Sequence, residues 1–400
     1  MPISPYIKET INSKGAGVIR KMFEEGIKLK AIHGDENVFD FSLGNPDLDP
    51  PVKVADAIER LAKSREKNYH GYMPNAGYPF AREAMAKKTS KEQGIPVQGD
   101  CVVMSVGAAG AINALLKAIL SPGDNIVVPA PFFTEYRHYA RNFGGNLIEV
   151  PVKSDFSPDV EAIKNALNEK TAAVLINSPN NPTGRVYSEK EIKQLSDALL
   201  EHGQKCGRMP YLICDEPYRA IVYDGIQVAP VFPVYPSSVV VTSFAKNFSL
   251  PGERIGYICV NPACPDKDEL VAACIFCTRV LGYVNAPALM QRVVAETWDA
   301  EADYSLYKAR RDKLVAILDE VGIEHANPEG AFYLWCKVPE KFGDDDMAFC
   351  EYLKKYLVLA SPGSAFGGKG YFRLAYCVSE QSIVNSKVGF SLAMNELSKV

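Results

Sequence analysis

Ser243–Tyr257, SFAKNFSLPGERIGY, joins two β-branched runs, SVVVTSF at 238–244 and RIGYICV at 254–260. The residues between Phe244 and Arg254 include Pro251 and Gly252, and they are too few for the helical crossover that a parallel neighbour needs. The second run must therefore return antiparallel. The same stretch carries two cations, Lys246 and Arg254, in an otherwise apolar or turn-forming setting. A solvated surface turn is the ordinary reading of such charges, and the surrounding chain argues against it.

Working outward, five more short runs rich in β-branched residues precede this pair: CVVMSV from Cys101, NIVVPA from Asn125, NLIEVPV from Asn146, TAAVLIN from Thr171 and YLICD from Tyr211. Helical patterns lie between them at 108–120, 134–142, 158–168 and 188–202. Repeated strand and helix units predict an α/β fold built on a mostly parallel seven-stranded sheet with one antiparallel strand. After about Asn285 the pattern changes to a long helical stretch, 287–322, then strand-like GAFYLWCKV and YFRLAYC around another helix. The expected organisation is a large domain at 46–285, with 1–45 and 286–400 forming a smaller α+β domain. No internal repeat or low-complexity tract interrupts it.

Composition excludes several function classes. The chain has 400 residues, 47% hydrophobic and 23% charged, with a formal charge of −4. That balance is globular and offers no basic face for nucleic acid. Ten cysteines are scattered without disulfide-framework spacing, and the N-terminus lacks a signal-like apolar core, so a reduced, cytoplasmic setting is expected. Cys274 and Cys277 form a CxxC, but the second pair that a zinc ribbon needs is wrongly spaced, and no metal is expected. The apolar run CVVMSVGAAGAINALLKAIL is broken by Gly107 and Gly110; it parses as strand, glycine turn and helix, not as a membrane span.

The carboxyl edge of a parallel sheet collects helix N-termini and loops, and ligands bind there. Gly107, Ala108 and Ala109 follow the first large-domain strand, Phe133 the second, and Asn181 of SPNNPTG the fourth. YLICD ends in Asp215 with Tyr218 three residues on, and the next strand brings Ser243 and Lys246. Each alone reads equally as a turn, a cap or core. Together they suit a flat, phosphorylated heteroaromatic aldehyde: a lysine for the carbonyl carbon, an acid for the ring nitrogen, an aromatic face, and a helix N-terminus with Ser243 and Arg254 for the phosphate.

SFAKNFSLPGERIGY is similar to the lysine signature of class I aminotransferases of pyridoxal-phosphate fold type I. NSPNNPTG, CDEPY and YFRLAY also resemble that family's elements, in its order, from about Phe41 to Tyr376. The resemblance implies a pyridoxal 5'-phosphate enzyme with Lys246 as the Schiff-base lysine and proton shuttle. Asp215 would pair with the ring nitrogen, and Tyr218 and Asn181 with the ring's phenolic oxygen. The phosphate would meet Ser243, Arg254, the amides of Gly107, Ala108 and Ala109, and Tyr72 from a partner subunit in a homodimer. Phe133 would stack on the ring, Arg373 would clamp the substrate α-carboxylate, and Gly44 would let the backbone approach that carboxylate.

The implied reaction is ping-pong transfer of an amino group from an L-amino acid to a 2-oxo acid. A carbon–sulfur β-lyase of the same fold is the alternative. A ligand-sensing regulator lacks a DNA-binding segment here, and a nicotinamide dehydrogenase lacks the GxGxxG spacing. The substrate stays open. Relatives that act on dicarboxylates place an extra cation for the distal carboxylate, and one branch has lysine where this chain has Ala109. Another uses an arginine contributed across the dimer near CTRVLGYVN, where Arg279 stands about one residue out of register and reads rather as a helix-surface residue. Aspartate with 2-oxoglutarate is a candidate pair, and the apolar APFFTEY suits alanine or aromatic substrates as well.

Overall fold

The computed structural model describes residues 3–12 and 18–399. Its strands in chain order are β1 (Phe39–Asp40), β2 (Val102–Ser105), β3 (Asn125–Ala130), β4 (Asn146–Pro151), β5 (Thr171–Asn177) and β6 (Tyr211–Asp215). They continue with β7 (Ser238–Ser243), β8 (Gly256–Val260), β9 (Tyr333–Lys337), β10 (Val358–Leu359), β11 (Ser361–Pro362) and β12 (Tyr371–Ala375). Seven of them form one sheet in the order β2-β8-β7-β6-β5-β3-β4. All neighbours in it are parallel except β8, which pairs antiparallel with both β7 and β2. The short Pro-Gly connection thus returns the chain as its length demands.

Both faces of this sheet are covered, and the period-2 alternation of strands decides which residue goes where. Val102, Met104, Val174, Ile176 and Val240 join one buried core, shared with helices Val52–Ala62, Pro79–Gln93 and Ala288–Thr297. Val103, Ala173, Leu175, Val239 and Val241 point the other way, toward helices Gly107–Ile119 and Lys267–Val280. Near-continuous apolar strands follow from burial on both faces.

A separate core gathers β9, β12 and helices Ser305–Val321 and Glu380–Lys399. The N-terminal part joins it through β1, which pairs with β10 in the register Phe39 to Val358. The stretch 287–322 is not one helix. It breaks after Thr297 and resumes at Ser305, whose backbone N–H is capped by the Asp303 carboxylate at 2.9 Å. The helix expected at 134–142 is shorter, Tyr136–Arg141, and the one at 188–202 runs on to Cys206, stopped by Gly207 in the left-handed region.

Candidate active site

β5, β6 and β7 end side by side at Asn177, Asp215 and Ser243, all buried. Helix Gly107–Ile119 opens just after β2, at the same edge, and no side-chain cap satisfies its first N–H groups. A cavity of about 720 Å³ lies over this edge. It is lined by Ala108, Ala109, Phe133, Asn181, Asp215 and Tyr218, and by Ser243, Lys246, Arg254, Gly44 and Arg373. Eleven of the thirteen residues expected at the site therefore meet around one space. Gly107 lies behind that lining with φ +80°, where a Cβ would come within 3.0 Å of an Arg254 guanidinium nitrogen. Tyr72 lies outside it and is 92% exposed.

The Lys246 ammonium donates to the Gly44 carbonyl at 2.7 Å. Burial pushes its pKa down to about 8, and the positive charges of Arg373 and Arg254 push the same way. Burial raises the Asp215 carboxyl to about 7, against the lowering effect of a 2.5 Å hydrogen bond from the Tyr136 hydroxyl to Oδ2. The other oxygen, Oδ1, is buried with no partner.

Arg373 is buried and held by polar and aromatic contacts without a carboxylate. Its Nη1 donates to Asn181 Oδ1 at 3.0 Å and its Nη2 to the Ser42 carbonyl at 2.7 Å. The rings of Tyr333 and Phe366 each lie 4.6 Å from the guanidinium carbon. The Tyr333 hydroxyl in turn bonds to that of Tyr218 at 2.8 Å. It also occupies the space beside Gly44, where a Cβ would sit 2.1 Å away. The missing side chain at Gly44 thus makes room for Tyr333, not only for a substrate.

Tyr136, Tyr333, Asn177 and Ser42 are the neighbours that sequence reading missed. Tyr136 belongs to the quoted APFFTEY, where it reads as apolar. Asn177 closes a strand, and its amide bonds to the Asp215 carbonyl at 2.8 Å and accepts from the Asn181 N–H at 2.7 Å. Arg279 is exposed near the end of helix Lys267–Val280, outside the cavity lining. Cys274 and Cys277 are buried free thiols on that same helix. Among the described residues, no group of three or more His, Cys, Asp or Glu could hold a metal, and no helix is long and apolar enough to cross a membrane.

The family model for aminotransferase class I and II matches residues 36–385. The chain belongs to this family. The aminotransferase is 34% identical to a probable aspartate/prephenate aminotransferase of Aquifex aeolicus, over 90% of this chain and 92% of that one. An amino transferase structure from Eubacterium rectale superposes with a TM-score of 0.94 at 38% identity, covering 99% of both chains. The Thermus thermophilus aspartate aminotransferase, solved with maleate, superposes at 0.86 with 28% identity, over 98% of this chain and 100% of that one. The transferase reading stands, and the lyase alternative is set aside.

Class I and II aminotransferases depend on pyridoxal phosphate, and the residues present fit it. A buried carboxylate oxygen without a partner is costly, and the protonated ring nitrogen would supply the missing donor to Asp215 Oδ1. Gly107 leaves the backbone bare where a phosphate would approach the helix N-terminus.

Proposed function

We propose that this aminotransferase moves an amino group from aspartate, or another dicarboxylic amino acid, to a 2-oxo acid by a ping-pong sequence. The single observation that carries the catalytic part is the meeting of Lys246, Asp215 and Arg373 around one cavity. The acidic substrate is supported by the relatives' activities and by maleate, a dicarboxylate, in the Thermus thermophilus structure.

Asp215 would keep the ring nitrogen protonated through its free oxygen, and Tyr136 fixes the carboxylate's orientation. Ser243, Arg254 and the first N–H groups of helix Gly107–Ile119 would hold the phosphate. Phe133 would stack on the ring, and Tyr218 and Asn181 would bond its phenolic oxygen. Bound pyridoxal phosphate supplies the carbonyl carbon and the electron-withdrawing ring. Arg373 clamps the α-carboxylate as a planar fork, which Asn181 and Ser42 hold in place. Lys246 Nζ, with its pKa lowered toward neutrality, takes the proton from the substrate Cα and returns it on the other side of the reaction.

Residues 46–285 act as the cofactor domain, extended by helix Ala288–Thr297, which shares its core; 1–45 and the rest of 286–400 form a smaller unit that carries Arg373. The exposed Tyr72 points to a homodimer in which each subunit completes its partner's phosphate site. The test is a panel of single amino acids with 2-oxoglutarate, read as glutamate formed. Aspartate should be among the best donors. Pyruvate and ammonia released from cystathionine without transfer would overturn the transferase reading, and activity confined to neutral donors would overturn the acidic substrate.

A further inference from the structure

The cavity carries one cation that neither the cofactor nor an α-carboxylate uses. Of the basic groups lining it, Arg137 is held by Glu149, with Nε at 2.7 Å and Nη2 at 3.0 Å. Lys246, Arg254 and Arg373 have the tasks given above. Arg141 remains. Its guanidinium carbon lies 3.7 Å from the centre of the Tyr6 ring, and among the described residues no carboxylate pairs with it.

Tyr6 lies on helix Pro5–Asn12, which reaches the mouth of the cavity through Tyr6, Glu9 and Thr10. Its hydroxyl hydrogen-bonds to His138 Nδ1 at 2.6 Å, one turn before Arg141 on helix Tyr136–Arg141. A guanidinium laid on an aromatic face keeps its edge N–H groups free for a planar, two-oxygen acceptor. Of the positions at which dicarboxylate-specific relatives place a cation, Ala109 carries no charge, and Arg279, which would act across a dimer, lies outside this chain's own lining against the Phe276 ring, 5.4 Å away.

We propose that Arg141, seated on Tyr6, receives the distal carboxylate of a dicarboxylic amino acid, so that the acidic specificity comes from the same chain as the catalytic lysine. The assignment rests on the acidic-substrate reading above. With Arg373 on the α-carboxylate and Arg254 on the phosphate, each anionic group of cofactor and substrate then has its own arginine.

The test uses the holoenzyme with Arg141→Gln and Arg141→Lys. The ratio of kcat/KM for aspartate to that for alanine should fall about tenfold in Arg141→Gln, mostly through KM, the scale of one lost charge-assisted contact at a wet site. Arg141→Lys should recover part of it. Maleate affinity, measured by calorimetry, should fall in parallel, and the difference from wild type should shrink at high salt. A wild-type enzyme active with aspartate and an Arg141→Gln variant with unchanged ratio and unchanged maleate affinity would overturn the assignment alone. A wild-type enzyme that neither turns over dicarboxylates nor binds maleate would overturn the substrate reading, and the assignment with it.

Discussion

Tyr136 donates a 2.5 Å hydrogen bond to one oxygen of Asp215, while the other oxygen is buried and unpaired. The carboxylate is therefore oriented but only half satisfied, which in a protein interior destabilises the fold unless a donor arrives.

Replacing Asp215 by Asn should stabilise the protein without cofactor and cripple the loaded enzyme. The folded-state pKa of about 7 lies above the ordinary 3.8, so the folded carboxyl holds its proton longer than the unfolded one. Stability from this group is present at low pH and is lost as pH rises from about 4 to 7. The gain of Asp215→Asn in denaturant titrations should accordingly be small near pH 4 and grow to a few kcal/mol, as an order of magnitude, by pH 7. A gain that is the same at both pH values would contradict the half-satisfied carboxylate.

Gly44→Ala should lower stability by about 1–3 kcal/mol, because the new methyl must displace the Tyr333 hydroxyl. It should also raise KM for the amino acid, since Tyr333 underlies Arg373. Adding Tyr333→Phe removes the closest clash but leaves ring carbons at 2.6 and 2.7 Å from the new atom. The double variant should recover only part of the lost stability in thermal unfolding, and full recovery would show that the hydroxyl alone sets the fit.

Lys246 should lose its proton near pH 8 in the apoprotein, well below the ordinary 10.5. Capture of pyridoxal phosphate needs the free amine, so its rate should climb through pH 8 and level off above about pH 9. Stopped-flow absorbance gives that profile. A rate still climbing at about pH 10 would mean that the lysine is not buried as described.

Much of this site was legible because its parts lie at strand ends that the sequence marks clearly. The gap between Phe244 and Arg254 dictates the antiparallel return, and that return sets Lys246 and Arg254 on the same edge. What stayed hidden depends on contacts between distant segments. Tyr218 meets Tyr333 and Asn181 meets Arg373 only because segments far apart in the chain pack together. Tyr136 looks apolar in APFFTEY until Asp215 is placed above it. Helix Pro79–Gln93 also escaped notice, since its buried positions include the small Ala81, Ala84 and Ala86 among lysines and glutamates, a pattern with little apolar contrast.

The most direct measurement is the visible absorption spectrum of wild type and Lys246→Ala after pyridoxal phosphate is added and excess removed. Wild type should show a yellow band, absent after borohydride-free gel filtration in Lys246→Ala, and aspartate should bleach it with release of a 2-oxo acid. A Lys246→Ala protein that keeps the same band, or a wild type that never acquires one, would contradict the assignment of Lys246 as the residue that binds the cofactor covalently.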